Sequence, residues 1–241
     1  MDNKKIFITF GGGTFARGKK KYVDVAKRLL KQAKKTGYFD KTILYTGNKM
    51  RNDKHFWKQH SKFITRNKRG WGYWIWKSYI IKKTMNTLND GDILIYLDAG
   101  CEIGGGKQNL IPTYFDYVKD DKIIGTTTCI EKDWCKMDLL HKLHMQNSDL
   151  INSKQRQGGT LLFYICKETR NIVDEWYKIS CDYHMIDDSP SIKPNLNCFN
   201  EHRHDQSIFS LLTKKYGIFS DKHLSNCIYV SRNKSGKKSQ L

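Results

Sequence analysis

Apolar positions along this chain alternate between short continuous runs and stretches that repeat every three to four residues. Residues 6–10 (Ile-Phe-Ile-Thr-Phe) form a β-branched and aromatic run that stops at Gly11-Gly12-Gly13. Residues 22–35 then carry Val25, Leu29, Leu30 and Ala33 at helical spacing, with lysines on the opposite side, until Gly37 ends the pattern. A second strand is expected at 42–46. Trp76, Tyr79 and Ile80 predict a helix within 72–88, and Asn89-Asp90-Gly91-Asp92 turns the chain into Ile93-Leu94-Ile95-Tyr96-Leu97. That last run has no polar break, as expected of a strand covered on both faces of a parallel sheet. Further on, the pattern predicts a helix at 110–118, strands at 122–128 and 160–166, and helices at 168–180 and 205–216. Strands separated by helices specify an α/β fold with a central, mainly parallel sheet flanked by helices. One domain over residues 1–230 and a flexible basic tail over 231–241 account for the whole chain.

The composition fits this reading. Hydrophobic residues make up 39% of the 241 positions, with 13 Tyr, 11 Phe and 6 Trp, enough for a sizeable core. No apolar run approaches the ~20 residues that cross a bilayer. The chain opens on polar residues and enters a strand without a signal-like stretch, so a cytoplasmic protein is expected. The seven cysteines include no C-x-x-C pair and read as reduced thiols. The formal charge of +19 favours anionic company: a phosphorylated small molecule, nucleic acid or an anionic membrane face. The lysines are dispersed, as in Lys19-Lys20-Lys21, Lys82-Lys83 and Lys214-Lys215, rather than forming one stripe. No nucleic-acid-binding motif accompanies them, so a nucleic-acid partner is disfavoured and peripheral membrane contact stays open.

In open α/β sheets, ligands lie beyond the carboxyl ends of the strands, so residues just past each strand are the candidates. Asp98-Ala99-Gly100-Cys101-Glu102 leaves the most apolar strand. A carboxylate there can hold a divalent cation or a sugar hydroxyl, or simply cap a turn. Glu201-His202-Arg203-His204-Asp205-Gln206 opens the last helix, where Asp205 can serve as a base or only complement the helix dipole. Arg69-Gly70-Trp71-Gly72-Tyr73-Trp74-Ile75-Trp76-Lys77 holds too many large rings for one buried stripe. Some of these rings are expected to line a cleft, with Arg69 and Lys77 facing phosphate oxygens. Gly158 and Gly159 precede a strand and let backbone approach a ligand closely. Residues 184–190 (His-Met-Ile-Asp-Asp-Ser-Pro) form an acidic loop. Neither G-x-G-x-x-G nor a Walker sequence is present.

These residues resemble those of GT-A fold glycosyltransferases, and the segment 69–77 is similar to a group of small bacterial and viral members. The likeness spans roughly residues 5–230. It implies a single GT-A-like, Rossmann-related domain that transfers a sugar from a nucleotide-diphosphate donor to a glycan, lipid or protein hydroxyl. It further implies Mn²⁺ or Mg²⁺ at an Asp-x-Asp element, which falls on Asp98-Ala99-Gly100. Here Gly100 stands in place of the second carboxylate. Either Asp98 holds metal with Glu102 helping and His223 completing the shell, or metal is dispensable and basic side chains neutralise the diphosphate. Asp205 and Asp98 take the catalytic roles. Phe10, Arg69, Trp71, Tyr73, Trp76, Lys77, Asp98, Ala99, Gly100, Gly158, Gly159, His204 and Gln206 would contact the donor. The rival readings are a metal-dependent nuclease or phosphotransferase and a basic nucleic-acid-binding module.

Overall fold

A computed structural model describes residues 3–12, 22–237 and 239–241. Gly13, the lysine triplet at 19–21 and Lys238 lie outside the described residues. Along the chain run β1 (Lys5–Gly11), α1 (Tyr22–Thr36), β2 (Lys41–Thr46), α2 (Gly47–Asn52), α3 (Lys54–Arg66), α4 (Gly70–Tyr73), α5 (Ile75–Met85) and β3 (Ile93–Leu97). They are followed by α6 (Ile111–Asp121), β4 (Ile123–Ile130), α7 (Met137–Lys142), β5 (Lys154–Tyr164), α8 (Lys167–Ser180) and α9 (His204–Lys215).

The five strands form one sheet in the order β2-β1-β3-β5-β4. β1 lies parallel to β2 (Ile8 opposite Ile43) and to β3 (Phe7 opposite Ile95). β5 runs against both its neighbours, with Leu97 opposite Thr160 and Ile124 opposite Leu162. Four strands therefore point one way and β5 the other, giving an α/β domain with a mostly parallel, mixed sheet.

Alternation along the strands divides the interior in two. Ile6, Ile8, Phe10, Leu94, Tyr96, Leu161 and Phe163 face a core closed by α3, α5, α8 and α9. Phe7, Ile93, Ile95, Leu97 and Leu162 face a second core under α1 and α6. Each such side chain contributes roughly 1.5–3 kcal/mol on burial. α5 turns most of its surface into the first core, which also buries its Lys77, while Lys83 reaches solvent.

Three expectations need correction. β5 begins six residues earlier than its apolar run, so Gly158 and Gly159 lie within the strand rather than before it. The helix expected from residue 72 begins at Ile75, because the preceding turn has the opposite hand. The tail at 231–241 is docked rather than loose: Ser239 Oγ donates to Glu102 Oε1 (2.6 Å) and Asn233 N donates to Gly100 O (2.9 Å). Among the described residues, no helix is long and apolar enough to cross a membrane.

Candidate functional site

β3 ends at Leu97, and Asp98 is the first residue past it. The reversed strand β5 continues beyond that end, so Gly159 O accepts the Asp98 backbone N–H at 2.8 Å. A Cβ on Gly159 would come within 2.6 Å of Asp98 Oδ2, and one on Gly158 within 3.3 Å of Asp205 Oδ2. The glycine pair thus leaves room for the two carboxylates, with no unusual backbone angle needed.

Between those carboxylates stands Lys77, on the first turn of α5. Its Nζ lies 3.0 Å from Asp205 Oδ2 and 3.6 Å from Asp98 Oδ1. Tyr96 donates its hydroxyl to the same Asp98 oxygen. The side chains of Lys77 and Asp205 are 4% and 5% exposed, whereas that of Asp98 is 45% exposed. Asp98 is therefore the member that meets solvent, and Lys77, itself anchored by Asp205, holds it from behind. Burial pushes the Asp205 carboxyl up to about 6, against the pull of the Lys77 ammonium. The two acids keep Lys77 charged despite its own burial.

Asp98 opens into a cleft of about 1000 Å³. Phe10, Trp71, Trp76, Ala99, Gly100, Gly159 and Gln206 line it together with Asp98. So do Trp74 from the aromatic segment, Gln157 beside the glycine pair, and Tyr22 and Trp57, which sequence reasoning did not select. Five cations, Arg51, Lys68, Arg203, Arg232 and Lys234, face this space against one carboxylate among the described lining residues. Arg51 caps the Trp57 and Trp71 rings at 5.7 and 5.8 Å, and those indoles stack on each other.

The aromatic wall rests on an uncommon backbone. Residues 70–74 all have positive φ (55°, 56°, 86°, 49° and 60°), which makes one turn of left-handed helix. L-residues resist this conformation by roughly 1–2 kcal/mol each, so Trp71, Tyr73 and Trp74 together cost about 3–6 kcal/mol. Ring packing offsets that cost. Trp76 stacks on Phe10 (3.6 Å between centroids) and donates Nε1–H to Gly70 O at 2.9 Å, while Trp74 and Tyr73 flank His204 at 5.2 and 5.1 Å.

Several residues expected at the donor do not line the cleft. Lys77 is held between two acids and is not among the lining residues. Arg69 turns outward to Asp188 (2.9 Å) and Glu201 (3.6 Å), so the acidic loop neutralises it. Neither Tyr73 nor His204 lines the cleft. His204 is buried with Nδ1 2.7 Å from Ile186 O, and burial lowers its pKa. Gly158 supports the carboxylates instead of a ligand, and its N–H donates to Gln206 Oε1 at 3.1 Å. Asp205, with its side chain 5% exposed, does not line the cleft either.

The metal set fails on the same grounds. Glu102 is fully buried, 2.7 Å from Arg28 Nη1, and also accepts from Ser231, Ser239 and the Gln240 N–H. Burial pushes its carboxyl up, but those hydrogen bonds outweigh it and hold the pKa at about 2. His223 sits beside β4, where its Nδ1 accepts from Thr127 N–H at 3.4 Å. Among the described residues, no three His, Cys, Asp or Glu side chains gather as a cation site. One half-exposed carboxylate with an ammonium 3.6 Å away does not fit a resident divalent ion.

No protein-family model and no curated protein sequence matches this chain. Among solved structures it is similar to the apo crystal structure of mouse xyloside xylosyltransferase 1, with 8% sequence identity over 89% of this chain and 83% of that one, and a TM-score of 0.45.

Proposed function

We propose that the protein is a glycosyltransferase that moves a sugar from a nucleoside-diphosphate donor to a hydroxyl acceptor. The observation that carries this reading is the solvent-facing carboxylate of Asp98, fixed at a strand end by Tyr96 and by Lys77, which Asp205 anchors, and opening into a cleft with indole walls and cationic rims. An indole face stacks a base or a sugar ring. Guanidinium and ammonium groups match diphosphate oxygens. In the transfer, the acceptor oxygen bonds to the anomeric carbon as the bond from that carbon to the diphosphate oxygen breaks. The electron pair leaves with the diphosphate, which the cationic rim stabilises. Asp98 accepts the proton of the incoming hydroxyl, and the anchored Lys77 and Asp205 keep that carboxylate aimed. Asp205, expected to act as base, becomes a positioning residue in this scheme.

A thermal-shift panel of nucleoside diphosphates, nucleotide sugars and oligonucleotides tests the assignment. At a hundred times its Kd, a ligand specific for the folded state adds about 2.7 kcal/mol, or about 5–10 °C for a chain of this size. Nucleotide sugars should give such a shift, and Asp98→Asn should cut turnover of the stabilising donor by a hundredfold or more with the melting temperature preserved. Stabilisation by oligonucleotides alone would transfer the cleft to the nucleic-acid readings. Wild-type turnover in the Asp98→Asn variant would remove Asp98 from the chemistry.

A further inference from the structure

Position 100, where the resemblance calls for a second carboxylate, is filled from outside by the end of the chain. A Cβ on Gly100 would stand 3.1 Å from Arg232 Cα and 3.3 Å from the Arg232 carbonyl carbon, closer than ordinary van der Waals contact. Glycine here lets residues 229–237 lie across the strand exit as a strap. Tyr229 pairs with Glu102 as an antiparallel bridge, and Asn233 N donates to Gly100 O at 2.9 Å. Arg28 reaches from α1 to join both parts, with Nη2 at 3.0 Å from Ala99 O and 3.4 Å from Asn233 O, and Nη1 at 2.7 Å from Glu102. Glu102, buried and held by four partners, is the rivet of the strap. The exposed side chains carried across the cleft are Arg232, whose own backbone is left-handed (φ 50°), and Lys234.

We infer that the strap takes over the task of a metal: Arg232 and Lys234 bind the diphosphate of the donor directly, so donor binding needs no divalent cation. The inference rests on the transferase reading above and names the residues that grip its diphosphate. A cation at fixed positions on the strap supplies the charge that a bridging Mg²⁺ or Mn²⁺ would otherwise bring. This explains why one geometry holds both a glycine at 100 and the displacement of Glu102 away from the cleft.

Calorimetric titration of the full chain with UDP, GDP, ADP and CDP, each in excess EDTA and again with added Mn²⁺, is the test. The expected result is one diphosphate that binds equally well in both conditions. In EDTA, Arg232→Ala/Lys234→Ala should weaken that diphosphate at least tenfold and leave the parent nucleoside unchanged, while Arg232→Lys/Lys234→Arg restores most of the loss. The melting temperature of each variant, recorded alongside, separates lost contacts from lost structure. Binding that vanishes in EDTA and returns with Mn²⁺ overturns the strap assignment and leaves the transferase reading standing. Wild-type affinity in the double alanine variant also overturns it. If no nucleoside diphosphate binds in either condition, both readings fall together.

Discussion

Replacing Lys77 with methionine removes the cation while retaining the length of its stem. At 3.0 Å the Lys77–Asp205 attraction is about 5 kcal/mol with an effective dielectric near 20, and the more exposed Asp98 adds less. The net penalty is smaller, because a buried acid stripped of its partner takes up a proton instead of remaining charged. Asp205 sits at about 6 with Lys77 present and would climb further without it. A carboxyl raised above its unfolded value binds its proton more tightly in the folded state. Stability therefore falls as pH rises from the unfolded pKa to the folded one, and in the variant that fall continues above pH 6. Each further pH unit costs a little more than 1 kcal/mol. The variant should thus be about 3 kcal/mol less stable than wild type at pH 8, roughly 6–12 °C in melting temperature, with a much smaller deficit at pH 5. Urea denaturation of both proteins at the two pH values measures this. Adding Asp205→Asn to each background checks the coupling, since the pair should be strongly non-additive. Equal deficits at pH 5 and pH 8, or additive effects of the two substitutions, would refute the picture of a lysine clamped by two acids.

Two further outcomes follow from the same geometry. Gly159→Ala places a methyl group 2.6 Å from Asp98 Oδ2; kcat/KM should drop at least tenfold, with a stability loss of about 1–3 kcal/mol by thermal denaturation. Glu102→Gln breaks the buried pair with Arg28 and should cost about 3–5 kcal/mol at pH 7. The folded pKa of Glu102 is depressed, so its contribution is present at neutral pH and lost as pH falls from about 4.5 towards 2; acid unfolding of the variant should be correspondingly less steep.

The strands and most helices were legible because their apolar runs were clean: 93–97 matches β3 residue for residue. β5 was misplaced at its start because Gln155, Arg156 and Gln157 look like loop. Its reversed direction leaves no mark on a continuous apolar run. The helix at 54–66 was passed over although Phe56, Phe63 and Ile64 lie at helical spacing, because its buried face is interrupted by His60, a polar ring satisfied inside by Tyr177 and Tyr183 hydroxyls, each at 2.9 Å. Asp98, Asp205, Gly158 and Gly159 were singled out from the sequence, and the structure sets both carboxylates against Lys77, with Gly159 beside Asp98 and Gly158 beside Asp205. The meaning of Lys77 was missed: unlike Lys82 and Lys83 on the same helix, it shares the buried stripe of Ile80, Ile81 and Thr84, and a lysine buried there must find acids. Glu102 and the tail were misread because spacing alone does not tell a carboxylate facing solvent from one that fastens a distant segment.

The mirror-image turn at residues 70–74 bears on how this protein can change. Its three strained L-residues hold about 3–6 kcal/mol, comparable with the 5–15 kcal/mol net stability of an ordinary domain. Selection for thermal robustness alone would flip the segment to the common hand, lengthen α5 backward and sweep the Trp71 indole off the cleft. Robustness and ligand grip therefore pull in opposite directions at this one bend. Swapping its glycines for D-alanine, the enantiomer this handedness accommodates, would be a backbone-compatible way to stiffen it.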